Sequence, residues 1–401
     1  MRYLALVMIL AGCAAAAPPR RTPVSPATTP ARDLADATAA SGGSSHRAEP
    51  VAKSCGEEAR CGDPRVADLD IIRITAHARG PGGEPELSSV ASADLFKEAN
   101  EAAKAGRQRE AISAYRQLVS EFPESQFAPV ALFDIAAVYD AQGDLTATLA
   151  SLRELVAKYP DARESIDGQL YIAALQADHL QWAEAAATLS AAIARPNLTF
   201  TDRIEAYARR GYAELEQHQY DAADASLTEA IAAWRNAPRV DDPYYIAMAH
   251  YYRGELMHRK FTEAPIRHGD DAMVADLETK RILAGQAYDR WRESLGFKHA
   301  YWATASGYQM SQIFMELWEV HVRAPYPERI AVASRPTYVA DVHDRVRQDL
   351  EKALEGHRMN VELAKAYGVD TVWSRGSQRQ AATILELLAK DAAGSFVTPG
   401  S

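Results

Sequence analysis

The chain has 401 residues, 47% apolar and 24% charged, a globular balance that excludes wholesale disorder. Acidic side chains outnumber basic ones by 54 to 44, and a net charge of −10 argues against a general nucleic-acid binder, whose phosphate contacts need a basic surface. Three cysteines exclude a disulfide scaffold and a four-thiolate zinc site, and no run of about 18 apolar residues offers a membrane-spanning helix.

Arg2 followed by the apolar run 4–17 has the layout of a secretory signal. Within it Leu10-Ala11-Gly12-Cys13 resembles the lipobox of bacterial lipoproteins. The resemblance implies a signal peptide over residues 1–12 and acylation of Cys13. Because Ala14 rather than Asp follows, it also implies the outer membrane, with the folded part facing the periplasm.

Residues 13–90 are rich in Pro, Ala, Ser, Thr and Gly, a composition that buries too little apolar surface to offset its ordering entropy. A flexible tether is expected, about 80 residues with an r.m.s. reach on the order of 50 Å. Within it, residues 69–74 suit one short strand. Cys55 and Cys61, six apart, suit either a local disulfide in an oxidising compartment or two free thiols.

Periodicity sets in after residue 90. Ala111, Thr148, Ala185 and Ala223 follow one another at 37, 37 and 38 residues, and Gly106–Gly143 and Pro123–Pro160 repeat the 37. Thr148 departs from a pattern that asks for alanine. Small residues let two helices approach, large ones fill between them, and the proline ends the second helix. The pattern resembles the tetratricopeptide repeat (TPR). It implies an all-α fold, a TPR-like α-solenoid of helix-turn-helix units, with about four repeats over 91–238.

Residues 242–392 keep a helical pattern while the repeat decays. Gly254 and Gly307 read as small positions of further first helices. A long helix is expected near 273–295, a Pro-broken loop at 325–336, a helix at 339–367 stopped by Gly368, a last helix at 374–390 and a tail from 393. Trp291, Trp302, Trp318 and Trp373 read as packing residues. Asp241-Asp242 before Pro243 reads as a helix start.

No phosphate-binding glycine loop, nucleophile elbow or His-Glu-x-x-His helix is present. Arg267-His268-Gly269-Asp270-Asp271 reads as a solvated turn, and His343, between Asp341 and Asp344, as a surface side chain. No catalytic residue, metal ligand, cofactor or small-molecule substrate is assigned. The competing expectation is an envelope enzyme with its site in the divergent half, which would bring His250, His258 and Arg267 into one pocket.

The TPR resemblance also implies a groove lined by the first helix of each repeat. Its ligand-facing positions fall on Ala93, Phe96, Asn100 and Ala103, then on Val130, Phe133, Ala137 and Asp140. In the third and fourth units they include Leu170 and Tyr212. The groove candidates are therefore Phe96, Asn100, Phe133, Asp140, Leu170 and Tyr212, with burial against a neighbouring helix as the alternative for Phe96, Phe133 and Leu170. Phe96 stands where TPR domains that clamp a C-terminal carboxylate carry lysine. The expected function is a non-enzymatic scaffold that binds protein or peptide partners in a cell-envelope complex. It resembles TPR proteins of β-barrel assembly, of the Tol-Pal system or of gliding motility.

Overall fold

A computed structural model of the chain describes residues 71–77 and 86–399. The described residues form thirteen α-helices and one two-stranded sheet, divided into two compact units between Leu180 and Gln181.

The first unit begins with β1 (Ile72–His77) and β2 (Glu86–Ala91), an antiparallel pair in which Arg73 stands opposite Val90 and Ile74 opposite Ser89. This hairpin lies within the stretch expected as tether, so that expectation is corrected for these residues. Arg73 explains why the strands dock. Its guanidinium donates to the Glu121 carbonyl at 2.9 Å, pairs with the Glu121 carboxylate at 3.1 Å and lies over the Phe122 ring. Ile72 and Ile74, on the alternate face, are exposed.

Five helices follow: α1 (Ser92–Lys104), α2 (Gln108–Glu121), α3 (Phe127–Ala141), α4 (Leu145–Lys158) and α5 (Arg163–Asp178). The second unit holds α6 (Trp182–Ile193), α7 (Phe200–Glu216) and α8 (Tyr220–Asn236), then longer helices α9 (Tyr244–Glu263), α10 (Asp270–Gly296), α11 (Ala300–Arg323), α12 (Arg335–Tyr367) and α13 (Val372–Ala392). Within each unit consecutive helices pack on one another, as hairpins must when each buries one apolar stripe.

The repeat register is visible in the packing. Ala111, Thr148, Ala185 and Ala223 are all fully buried. Thr148 fits because its hydroxyl donates to the Asp144 carbonyl at 2.8 Å, so no polar atom is left unpaired. The turn between the two helices of a repeat needs one left-handed residue. Gly106 (φ 72°), Gly143 (φ 73°), Leu180 (φ 59°) and His218 (φ 59°) supply it.

In the divergent half, Trp291, Trp302 and Trp318 are buried and Trp373 half-buried. The Asp242 carboxylate accepts from the Tyr244 N–H at 2.9 Å at the start of α9, and left-handed Gly368 ends α12. That helix starts at Arg335 rather than 339, because Pro336 sits in its first turn, where a missing N–H leaves nothing unpaired. His343 is not on the surface: it is 2% exposed, held by partners 48 and 54 residues further along the chain.

Candidate peptide-binding site

α3 is apolar on most sides, and burial shows which side of it is open. Ala128, Ala131, Leu132, Ile135 and Ala136 are buried against neighbouring helices. The opposite stripe carries Val130, Phe133 and Asp134, half-buried, and Ala137 and Asp140, exposed. Residues spaced three and four apart share one helix face. Four of these five are the ligand-facing positions expected for the second repeat.

α5 extends the stripe. Tyr171 meets Phe133 with ring centroids 6.2 Å apart and interplanar angle 41°, and its hydroxyl donates to the Asp140 carboxylate. Burial, then Asp140, then Asp178 push the Tyr171 phenol above its usual range, so it stays a neutral donor. The face is thus an aromatic ledge beside acidic side chains. α3 itself contains no basic residue, its only charges being Asp134 and Asp140.

Three expected groove residues lie elsewhere. Phe96 is 6% exposed, stacked on Phe127 at 4.9 Å and 18° and tilted against Tyr115. Asn100 is 2% exposed and accepts from the Tyr115 hydroxyl at 2.6 Å. Leu170 is buried too. Phe96 and Asn100 are covered within their own unit and Leu170 is buried, so none presents a side chain to a ligand; the part-open α5 position is Tyr171, one residue further on. Tyr171 lies 37 residues after Asp134, a spacing that could have singled it out.

Tyr212 belongs to the second unit and is half-buried. It contacts Trp182 edge-on at 5.2 Å and stacks on Tyr252 at 4.2 Å, and Tyr252 leads on to Trp302 at 5.8 Å. Tyr252 and Trp302 are buried floor, whereas Trp182, Tyr212, Tyr301, Tyr308 and Trp373 keep partial exposure. Sequence reading found Tyr212 but not Trp182 or Tyr252, whose meeting depends on three different helices. Cys13, Cys55 and Cys61 lie outside the described residues.

The enzyme expectation required three side chains to converge. Instead His250 meets Glu293 at 2.8 Å, His258 meets Glu316 at 2.6 Å, and Arg267 forks onto Asp276 at 2.6 and 2.9 Å. Burial lowers the His250 imidazole, against the pull of Glu293. His250 and His258 are eight residues apart on one helix, about 12 Å along its axis. Among the described residues, no group of three or more His, Cys, Asp or Glu is placed to hold a metal ion, and no helix is long and apolar enough to cross a membrane.

The tetratricopeptide-repeat family model matches residues 93–125 and 130–162, the spans of α1–α2 and α3–α4. The chain carries tetratricopeptide repeats. Their two matched spans start 37 residues apart, and in the sequence Ala185 and Ala223 prolong the spacing of Ala111 and Thr148. Among solved structures, the chain is similar to the C-terminal part of a TPR repeat-containing protein from Cytophaga hutchinsonii (13% identity, 75% of this chain and 100% of that one, TM-score 0.39). It is also similar to a tetratricopeptide repeat protein from Parabacteroides merdae (11% identity, 73% and 98%, TM-score 0.33). A third is MamA from Desulfovibrio magneticus RS-1 (15% identity, 49% and 94%, TM-score 0.32). No curated protein matches the sequence.

Proposed function

We propose that this chain is a non-enzymatic TPR scaffold, anchored by lipid at Cys13 with its folded units facing the periplasm, that binds peptide segments of partner proteins in a cell-envelope complex. The TPR fold suggests protein–protein interaction. The observation that carries the reading is the open stripe of α3, in which Val130, Phe133, Ala137 and Asp140 occupy the ligand-facing positions and remain at least partly exposed. Phe133 and Tyr171 supply rigid aromatic area, and the exposed Asp140 supplies an acceptor for a peptide's N–H groups or basic side chains. The Leu10–Cys13 motif supports the anchor.

The test is a substitution that blocks the stripe without touching the core. Ala137 is exposed, so Ala137→Arg leaves packing intact and sets a long cation across the ledge. Partners recovered with the wild-type protein from envelopes are expected to be lost with Ala137→Arg. The same partners, recovered undiminished, would move the binding surface away from α3.

A further inference from the structure

The second unit carries a run of aromatic rings to which five helices contribute. Trp182 of α6 meets Tyr212 of α7 edge-on, Tyr212 stacks on Tyr252 of α9 at 4.2 Å and 23°, and Tyr252 reaches Trp302 of α11 at 5.8 Å. The run continues through Tyr251, 5.1 Å from Trp302, to Trp373 of α13 at 6.1 Å, and Trp373 meets Tyr308 at 5.6 Å. Its middle is closed, with Tyr251, Tyr252 and Trp302 buried. Its ends are partly exposed: Trp182 and Tyr212 at one, Tyr308 and Trp373 at the other. Part-exposed rings continuous with one another mark a contact surface.

The open rings are held in place from behind. Tyr212 rests on the buried Tyr252 ring. Tyr308 lies against Gly376 of α13, where a Cβ would stand 2.9 Å from its Cε2, and its ring is 5.3 Å from that of buried His357. A ligand that docks on rings already fixed pays little for ordering them.

The polar groups beside the rings have one character. The Tyr308 hydroxyl accepts from the Gln380 amide at 3.5 Å, which leaves its own proton to give. Burial pushes the Tyr301 and Tyr308 phenols above their usual range, so both stay neutral donors. The neighbouring carboxylates are engaged: Glu255, 2% exposed, accepts from the Gln309 amide at 2.8 Å, and Glu316 meets His258 at 2.6 Å. The surface therefore offers flat rings and hydroxyl donors, with its acids already bonded.

That inventory selects a ligand. An ordinary extended peptide brings an N–H at every residue and loses water from each without gaining an acceptor. A sugar likewise brings many hydroxyls that need partners. Proline brings a carbonyl and no N–H, and a run of prolines is extended before it binds, in the form that aromatic-lined grooves recognise. We propose that this aromatic face is a binding site for a proline-rich, extended segment of a partner protein, with proline rings on the Trp182–Tyr212 and Tyr308–Trp373 pairs and a ligand carbonyl accepting from the Tyr308 hydroxyl. The site lies within the second unit and does not rest on the α3 stripe.

Calorimetric titration of the full chain with a capped decaproline peptide tests this. A glycine–serine decapeptide and a hexasaccharide of N-acetylglucosamine serve as the other two ligands. Decaproline is expected to bind saturably below about 1 mM, the glycine–serine peptide at least about tenfold more weakly, and the sugar not at all. Trp182→Ala is expected to weaken decaproline about tenfold or more. Tyr308→Phe, which removes one oxygen and keeps the ring, is expected to weaken it about threefold or more at an unchanged melting temperature. If Trp182→Ala lowers the melting temperature, Tyr308→Phe decides. Absence of saturable decaproline binding, equal binding of the glycine–serine peptide, binding of the sugar in its place, or undiminished affinity in a stably folded variant overturns the proposal.

Discussion

Gly254 of α9 lies against the five-membered edge of the Trp291 indole on α10: a Cβ at residue 254 would stand 2.4 Å from both Cδ1 and Nε1. Trp291 is fully buried, so the ring has no room to swing aside. Gly254→Ala is therefore expected to destabilise the second unit by about 1–3 kcal/mol through overpacking. Adding Trp291→Phe, which shortens the opposing ring, should recover part of that loss. Thermal unfolding of the two single variants and the double one measures the coupling; purely additive losses would mean the two residues do not meet.

Gly143 makes the opposite kind of prediction. No atom lies within 4 Å of where its Cβ would be, so the only obstacle is its φ of 73°. Gly143→Ala is expected to cost about 1–2 kcal/mol from backbone strain alone. Leu180 already bears this conformation with its side chain 66% exposed, so Leu180→Gly should be neutral or slightly stabilising. A chemical-denaturation series on these two variants checks both signs.

These two turns show what a sequence discloses about such a fold. Gly106 and Gly143 announce their turns because glycine is the residue that turns left-handed without strain. Leu180 and His218 occupy the same place in the register silently, since neither residue type signals a turn. The small buried positions were legible because close helix approach leaves few residue types to choose from. Side-chain burial set by distant partners was not. Phe96 is covered by Phe127 from the start of another helix, and His343 by Asp391 and Val397, while its sequence neighbours Asp341 and Asp344 are exposed. The hairpin was half legible: residues 69–74 have β-branched alternation, but β2, Glu-Leu-Ser-Ser-Val-Ala, reads as linker until β1 pairs with it.

A second buried imidazole sets a pH dependence in the lower range. His357 on α12 is fully buried, with Nδ1 3.2 Å from the Ser377 hydroxyl, and burial pushes it from 6.5 down to about 4. The unfolded chain accepts a proton that the folded chain refuses. Stability from this group is thus complete above about pH 6.5 and declines as pH falls toward about 4. Between pH 7 and pH 5 the second unit should lose about 2 kcal/mol more than a His357→Gln variant does. Equal losses in the two proteins would show that folding leaves the proton uptake of His357 unchanged.

The proposed lipid anchor rests on four residues, Leu10 to Cys13, that lie outside the described residues. The lipobox chemistry needs a thiol, because the diacylglyceryl group is joined through sulfur. Cys13→Ser is therefore expected to abolish incorporation of a labelled fatty acid and to leave an uncleaved precursor or a soluble form. Unchanged labelling in that variant would remove the anchor and, with it, the outer-membrane part of the proposed function.

Phe96 and Phe133 occupy equivalent positions 37 residues apart, yet only Phe133 is half-open. That contrast separates a core ring from a ligand-facing one within a single unit. Phe96 is 6% exposed and stacks on Phe127, so Phe96→Ala should cost about 3–5 kcal/mol of stability. Phe133 is half-buried, packed on Tyr171 and against two apolar clusters of its unit, and keeps part of its ring open. Phe133→Ala should cost clearly less stability and weaken partner binding by more than about 1 kcal/mol, because interface energy concentrates in a few aromatic anchors. Melting temperature and partner affinity, measured on both variants, place each ring. A Phe133→Ala protein as unstable as Phe96→Ala would make Phe133 a core residue. A stable one that binds normally would shift attention to the second unit, where Trp182 and Tyr212 form a partly exposed aromatic pair.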